Sequence, residues 1–302
     1  MSILKTLFFI FILESGFYIV SAQGNLSGIR SIGYYKQLSS QPDTIWYKKM
    51  GSVKLHMLVM QPVRKRKTQK CPVMVWIHGG AWVAGSPEGY IPHLRFSTDQ
   101  GAVGISIEYR LISKSGNNVH SESGYTIWDC LADCKDAIRY IRQHADELGI
   151  DPDKIIVIGD SAGGHLALCL GTMNLPKDTR ANAVINCNGI SDLTEEKWIK
   201  YIQPGTNRLK TAKQLSPIYS LDNKAVSILT MNGADDKVVT PQEAERFFNA
   251  CKERGIDTEY ILWPGMRHAF IVTNYTATEE QTDKALSAML NFLVKRRFLI
   301  LN

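Results

Sequence analysis

Apolar positions along the chain fall into two rhythms. The runs "CPVMVWIHGG", "GAVGISIEYR", "KIIVI" (Lys154 to Ile158), "NAVINCNGI", "AVSILTMNGADD" and "DTEYILWPG" are short, rich in β-branched residues and closed by turn residues. They predict buried strands. The stretches "GYTIWDCLADCKDAIRYIRQHADELGI", "AGGHLALCLG", "TPQEAERFFNACKERG" and "TEEQTDKALSAMLNFLVKRR" predict helices, the first from its 3.6-residue period. An earlier segment, "DTIWYKKMGSVKLHMLVMQP", alternates apolar and polar residues around Gly51 and predicts an antiparallel hairpin. Strands that alternate with helices imply an α/β fold, a mainly parallel sheet with helices on both faces. The exception is Ser191 to Leu221, a long, polar, helix-tolerant stretch between two strands. An insertion at that edge is placed to cover a site and choose substrates.

The amino terminus follows neither rhythm. "MSILKTLFFIFILESGFYIVSAQ" has one lysine, a short apolar core and Val20-Ser21-Ala22, the form of a secretory signal cut after Ala22. Glu14 interrupts the apolar run, which is short for a membrane span; an uncleaved anchor is the alternative. The expectation is a signal over residues 1–22, one domain over 23–302 and a secreted or periplasmic product with no membrane span. Neither repeats nor a shift of composition mark a second domain.

Composition narrows the classes. The 302 residues are 44% hydrophobic and 21% charged, with a net charge of +6, which is ordinary for a globular chain. The densest basic run, Arg64 to Lys67, reads as a solvated loop and not as a nucleic-acid patch. Six cysteines do not make a disulfide scaffold. Cys130 and Cys134 share a helix face, where a bridge is disfavoured. They lack histidines at zinc spacing, so no metal site is expected. Asn25 and Asn274 each begin a glycosylation sequon.

Chemistry concentrates at the strand ends, where an open α/β sheet binds its ligands. Between "KIIVI" and "AGGHLALCLG" stands Gly159-Asp160-Ser161-Ala162-Gly163, a G-x-S-x-G turn. Such a tight turn strains its serine and exposes the hydroxyl at the sheet edge. The other strand ends carry His78-Gly79-Gly80-Ala81-Trp82, then Asp235 and Asp236, then His268. Serine, acid and histidine thus follow in the order of the serine hydrolases with a nucleophile elbow. A serine hydroxyl needs a base to take its proton, and His268 is the candidate. The imidazole in turn needs a buried aspartate to fix its tautomer. Backbone N–H groups of Gly79, Gly80 and Ala162 are the expected oxyanion hole, each donor stabilising the transition state by about 3 kcal/mol. Each element has a bland reading as a turn, a cap or a surface loop; their joint occurrence in this order points to catalysis.

At these residues the chain resembles the α/β-hydrolase superfamily. "IHGGAW", "EYRL", "GDSAGGHLAL", "NGADDKVV" and "GMRHAF" carry the resemblance, over about Ile45 to Arg297. It lies with the branch that holds hormone-sensitive-lipase-like esterases, bacterial acetylxylan and feruloyl esterases and kynurenine formamidases. The resemblance implies an α/β-hydrolase fold, Ser161 as nucleophile, Asp236 rather than Asp235 as acid, His268 as base, and no cofactor. Two departures are visible: Ala81 stands where hormone-sensitive-lipase-like enzymes usually have a third glycine, and "YRLISKSG" replaces "YRLAPE". The expected activity is an exported serine esterase that removes acetyl, less so feruloyl, groups from a polysaccharide such as xylan. A short-chain carboxylesterase or lipase-like enzyme and an arylformamidase are the alternatives. A hydrolase-fold binding protein without turnover is remote, because serine and histidine are both kept. Trp82 and Trp198 are candidates for stacking on a sugar ring, with core and lid packing as the other reading. His165 and Asp160 are expected to be structural.

Overall fold

The computed structural model describes residues 29–62, 70–112, 124–222, 225–272 and 275–300. The signal-like leader, the Arg64 to Lys67 run and both sequon asparagines lie outside the described residues. The strands are β1 (Asp43–Met50), β2 (Val53–Met60), β3 (Cys71–Ile77), β4 (Val103–Ile107), β5 (Ile150–Asp160), β6 (Ala183–Cys187), β7 (Ser227–Gly233) and β8 (Thr258–Trp263). They form one eight-stranded sheet in the order β1-β2-β4-β3-β5-β6-β7-β8. The expected hairpin is β1–β2, turned at Gly51, and β2 is also antiparallel to β4. The remaining pairs are parallel. This is the α/β-hydrolase fold.

The helices among the described residues are α1 (Ile32–Gln37), α2 (Ile91–Asp99), α3 (Ile127–Gln143), α4 (Ala145–Leu148), α5 (Ala162–Thr172), α6 (Glu196–Ile199), α7 (Arg208–Leu215), α8 (Pro241–Glu253) and α9 (Glu279–Lys295). They cover both faces of the sheet. In β3, Val73, Val75 and Ile77 enter the core shared with α3, α5 and α8, while Met74 and Trp76 enter the one shared with α1, α2 and α9. Burial on both faces is why these strands read as unbroken apolar runs. The chain moves from β3 outward to β4, then returns past β3 to β5. That reversal opens a crevice beyond the carboxyl ends of β3 and β5, the place where such sheets bind ligands.

Three segments depart from the pattern read in the sequence. The long helix expected from Gly124 to Ile150 is two, α3 and α4, and Gly149 ends it with a left-handed φ of 63°. Thr126 and Asp129 form a capping box at its start. Helix α2 escaped the hydrophobic pattern because His93, Arg95 and Ser97 are all buried on it. Each does structural work: Ser97 Oγ accepts from the Trp76 indole at 3.0 Å, and Arg95 donates to the carbonyls of Tyr35 and Ser40. The Ser191 to Leu221 stretch folds as α6, α7 and a short 3₁₀ turn at Pro217–Tyr219.

The two strands at the margins are protected differently. On β1, exposed Lys49 faces exposed Lys54 of β2 across the hairpin. On β8, Glu259 pairs with Lys295 and Arg296 from the end of α9. Farther in, "EYRL" ties β4 to α3. The Arg110 guanidinium grips the fully buried Asp133 through Nε at 2.7 Å and NH2 at 2.8 Å. Lys48 reaches the same carboxylate at 2.6 Å.

Two outcomes follow for stability. Asp133→Ala leaves Lys48 and Arg110 with only their more exposed partners, Asp136 and Asp129, in place of a fully buried carboxylate, so a loss of about 2 kcal/mol is expected. A urea midpoint within error of the parent's, at equal m-value, would contradict this. Burial also pushes His78, His93 and His165 down to about 4 from an ordinary 6.5. Below pH 6.5 the unfolded chain takes up protons that the folded chain refuses. Stability therefore falls as pH drops from about 6.5 towards 4. A urea midpoint that stays flat from pH 7 to pH 5 would exclude this origin of acid lability.

Candidate active site

The turn from β5 into α5 is set by contact between backbones. A Cβ on Gly159 would run into the Gly163 carbonyl, and one on Gly163 into the carbonyl of Ile77 at the end of β3. Ser161 between them has φ 51° and ψ −117°, a conformation that side chains disfavour. It is held there because its N–H donates to the Cys187 carbonyl at 3.0 Å, while its own carbonyl accepts the first bond of α5 from His165.

The Ser161 hydroxyl lies 2.9 Å from Nε2 of His268. Nδ1 of the same ring lies 2.8 Å from Asp236 Oδ2. A carboxylate only accepts, so Nδ1 carries the hydrogen and Nε2 is left to accept from Ser161. The other carboxylate oxygen of Asp236 accepts the N–H groups of Val238 at 2.8 Å and Val239 at 3.0 Å. The Asp236 side chain is wholly buried, whereas that of His268 keeps 15% of its surface open. Asp235 is exposed; its backbone N–H donates to Met266 at 3.0 Å and pins the histidine loop to the acid loop. The acid next to the histidine is therefore Asp236. On the far side, the Thr276 hydroxyl donates to the His268 carbonyl.

The loop after β3 differs from expectation at one amide. Gly79 N–H donates to Asp160 Oδ1 at 3.0 Å, so it is already engaged and cannot turn to an oxyanion. The Tyr90 hydroxyl donates to the same oxygen. Asp160 thereby locks the loop to the elbow; burial, opposed by these donors, pushes its carboxyl above the usual range. The next two amides, Gly80 and Ala81, have no hydrogen-bond partner among the described residues. The amide of Ala162, first residue of α5, has no acceptor within its helix. Gly80, Ala81 and Trp82 all have positive φ, at 106°, 51° and 61°. The Gly80 carbonyl closes the turn by accepting from Val83 and Ala84, each at 3.0 Å. Below the loop, His78 stacks on Tyr109 with ring centres 4.2 Å apart, and the Tyr109 hydroxyl donates to the His78 carbonyl.

Of the two readings open for Trp82 and Trp198, burial leaves packing. Trp82 is 0% and Trp198 5% exposed, so neither ring offers a face to a sugar. Trp82 stands edge-on to Trp198, Tyr201 and His165. Nε2 of His165 donates to the Leu215 carbonyl at 2.8 Å, which fastens the Ser191 to Leu221 insertion to α5. Tyr90 left no trace in the sequence, because it reaches Asp160 from 70 residues away. Thr276 and the Val238 and Val239 amides act within their own loops, the two valines inside the "NGADDKVV" element, but no side-chain pattern marks a bond to the backbone.

Among the described residues no cluster of histidine, cysteine and acid side chains could hold a metal ion, and no helix is long and apolar enough to cross a membrane. The chain is 28% identical over 229 residues to the probable carboxylic ester hydrolase LipM of Mycobacterium tuberculosis, covering 67% of this chain and 50% of LipM. It is 27% identical to the esterase LipQ of the same organism, covering 76% and 57% of the two chains. It thus spans about half the length of these relatives. The esterase Est2 of Thermogutta terrifontis superposes with a TM-score of 0.75 at 29% identity, over 86% of this chain and 94% of that one. The BD-FAE family model matches residues 61–251, more than half of the sequence, and the chain belongs to the BD-FAE family.

Proposed function

We propose that this chain is a serine carboxylesterase that hydrolyses short-chain esters through an acyl-enzyme. The observation that carries the reading is the unbroken chain from Ser161 to His268 to Asp236 at 2.9 and 2.8 Å, beside a loop with open amides. Ser161 Oγ attacks the ester carbonyl as its proton passes to His268 Nε2. The Asp236 carboxylate holds the ring's tautomer and stabilises the imidazolium that forms. The carbonyl oxygen, now negative, is received by the amides of Gly80, Ala81 and Ala162. His268 returns the proton to the departing alkoxide, leaving an acyl group on Ser161. Water, activated by the same histidine, then releases the acid.

The relatives support this class. Est2 has been solved bound to butyrate and to propionate, and phosphorylated by paraoxon. For this chain we infer that small acyl groups are carried on Ser161. Within that class, we take acetyl esters on an extracellular polysaccharide as the natural substrate. The secretory form of residues 1–22 supports that choice; the buried Trp82 and Trp198 do not add to it.

Three experiments test the proposal. Ser161→Ala is expected to abolish hydrolysis of a simple aryl acetate with the fold intact by circular dichroism. Asp236→Asn should lower kcat by on the order of 10³- to 10⁴-fold and Asp235→Asn by less than about twofold. The reverse ranking of the two aspartates would move the acid to Asp235. Acetate release from acetylated xylan, absent in Ser161→Ala, is expected of the parent. Cleavage of aryl acetate without any release from xylan or other acetylated polysaccharides would reject the polysaccharide substrate and keep the esterase.

A further inference from the structure

Glu243 does more than cap a helix. It is the third residue of α8, and its Oε2 accepts from Thr240 N–H at 2.8 Å and Thr240 Oγ at 3.1 Å. A capping box asks no more than this, and glutamine would serve it equally. Glu243 is nevertheless buried, 5% exposed, and turns its other oxygen away from the helix to the Trp198 indole N–H at 2.9 Å. The Lys197 ammonium joins the same carboxylate and also donates to the Val238 carbonyl at 2.9 Å. One side chain therefore ties α6 of the insertion to the loop whose amides hold Asp236.

The tie continues into the oxyanion loop. Trp198 packs edge-on against Trp82, ring centres 6.5 Å apart, and Tyr201 closes on Trp82 at 5.3 Å. Trp82 follows Ala81 directly, and both residues hold a left-handed backbone without being glycine. Each such residue costs about 1 kcal/mol or more and persists only where its surroundings leave no alternative. Here the surroundings are Trp198, Tyr201 and His165, which enclose the Trp82 ring on the insertion side and the α5 side. Trp198 is one wall of that enclosure, and the Ile112 N–H holds the Trp82 carbonyl from the other side at 2.9 Å.

We propose that Trp198, fixed by Glu243, is a positioning residue for the oxyanion amides, and that the insertion is a strut between the acid loop and the oxyanion loop. This rests on the esterase reading above. A donor that drifts costs transition-state binding and leaves ground-state binding nearly as it was, so the loss falls on kcat. Trp198→Phe keeps most of the packing and removes the N–H. Glu243→Gln keeps the cap on Thr240 but has a single acceptor oxygen, so it cannot also serve the indole.

The experiment measures kcat and KM of the full chain for a short-chain aryl ester in the parent, both single variants and the double variant, below their melting temperatures. Each single variant is expected to lose about tenfold in kcat with KM within about twofold. The double variant should lose no more than the worse single, because both act through one contact. If Trp198→Phe fails to fold, Glu243→Gln alone decides by its kcat. Folded variants with parental kcat, or losses that multiply in the double variant, would overturn the coupling while leaving the esterase in place. A parent without turnover that depends on Ser161 would overturn the esterase reading and this role with it.

Discussion

Everything at the site depends on how closely the first turn of α5 approaches the end of β3. Gly163 lies against the carbonyl of Ile77, and neither residue can retreat, since one belongs to a helix and the other to the central strand of the sheet. That single contact fixes the separation between the serine and the loop of amides. Larger side chains there would force the two apart by the width of a methyl group, which is comparable to the tolerance of a catalytic hydrogen bond. The rest of the architecture then serves to aim groups at a point already defined: β7 brings the acid, the turn after β8 brings the histidine, and β6 supplies the carbonyl that holds the serine amide.

Strain gathers in the same place. Ala81, Trp82, Ser161, Asn188 and Ala269 all take positive φ without being glycine, and all follow the carboxyl ends of the parallel strands β3, β5, β6 and β8. A backbone in that state survives where packing and hydrogen bonds over-determine it. The supports are visible: Cys187 and His165 bracket Ser161, Gly80 closes the turn around Ala81 and Trp82, and Met231 accepts from the Asn188 amide. Preorganised donors of this kind need not move when charge develops, and that fixity is the source of their electrostatic effect.

How much of this could be read in the sequence differs by element. The parallel strands were legible because burial on both faces leaves unbroken apolar runs, and the elbow because close backbone contact demands glycines at fixed spacing. Asp236 and Asp235 could be separated only through the resemblance; geometry separates them by burial. Helix α2 was hidden by buried His93, Arg95 and Ser97, which look like surface residues to any periodicity. The Gly79 amide was misassigned for a similar reason. Its acceptor, Asp160, stands 81 residues away and was expected to be structural, but nothing local says which donor it takes. Trp82 and Trp198 show the limit in the other direction, since an aromatic beside a catalytic motif looks the same in sequence whether it faces a ligand or a neighbour.

The lysines that face each other on the β1–β2 hairpin bear on how copies of the molecule meet. A free strand edge is a template for a further strand, and a second copy of β1 would pair with it through backbone hydrogen bonds alone. Lys49 opposite Lys54 gives up a few tenths of a kcal/mol within one molecule. Against an approaching copy the same two charges are doubled, and their repulsion works against the new backbone bonds. That guard is electrostatic, with a reach of about 10 Å at 0.1 M salt and about 3 Å at 1 M. At the far edge, where Glu259 is tied to Lys295 and Arg296, protection rests on covering the strand as well as on charge, and is correspondingly less sensitive to salt. The molecule thus has one margin whose resistance to self-association is set by the solution and one whose resistance is set by its own fold.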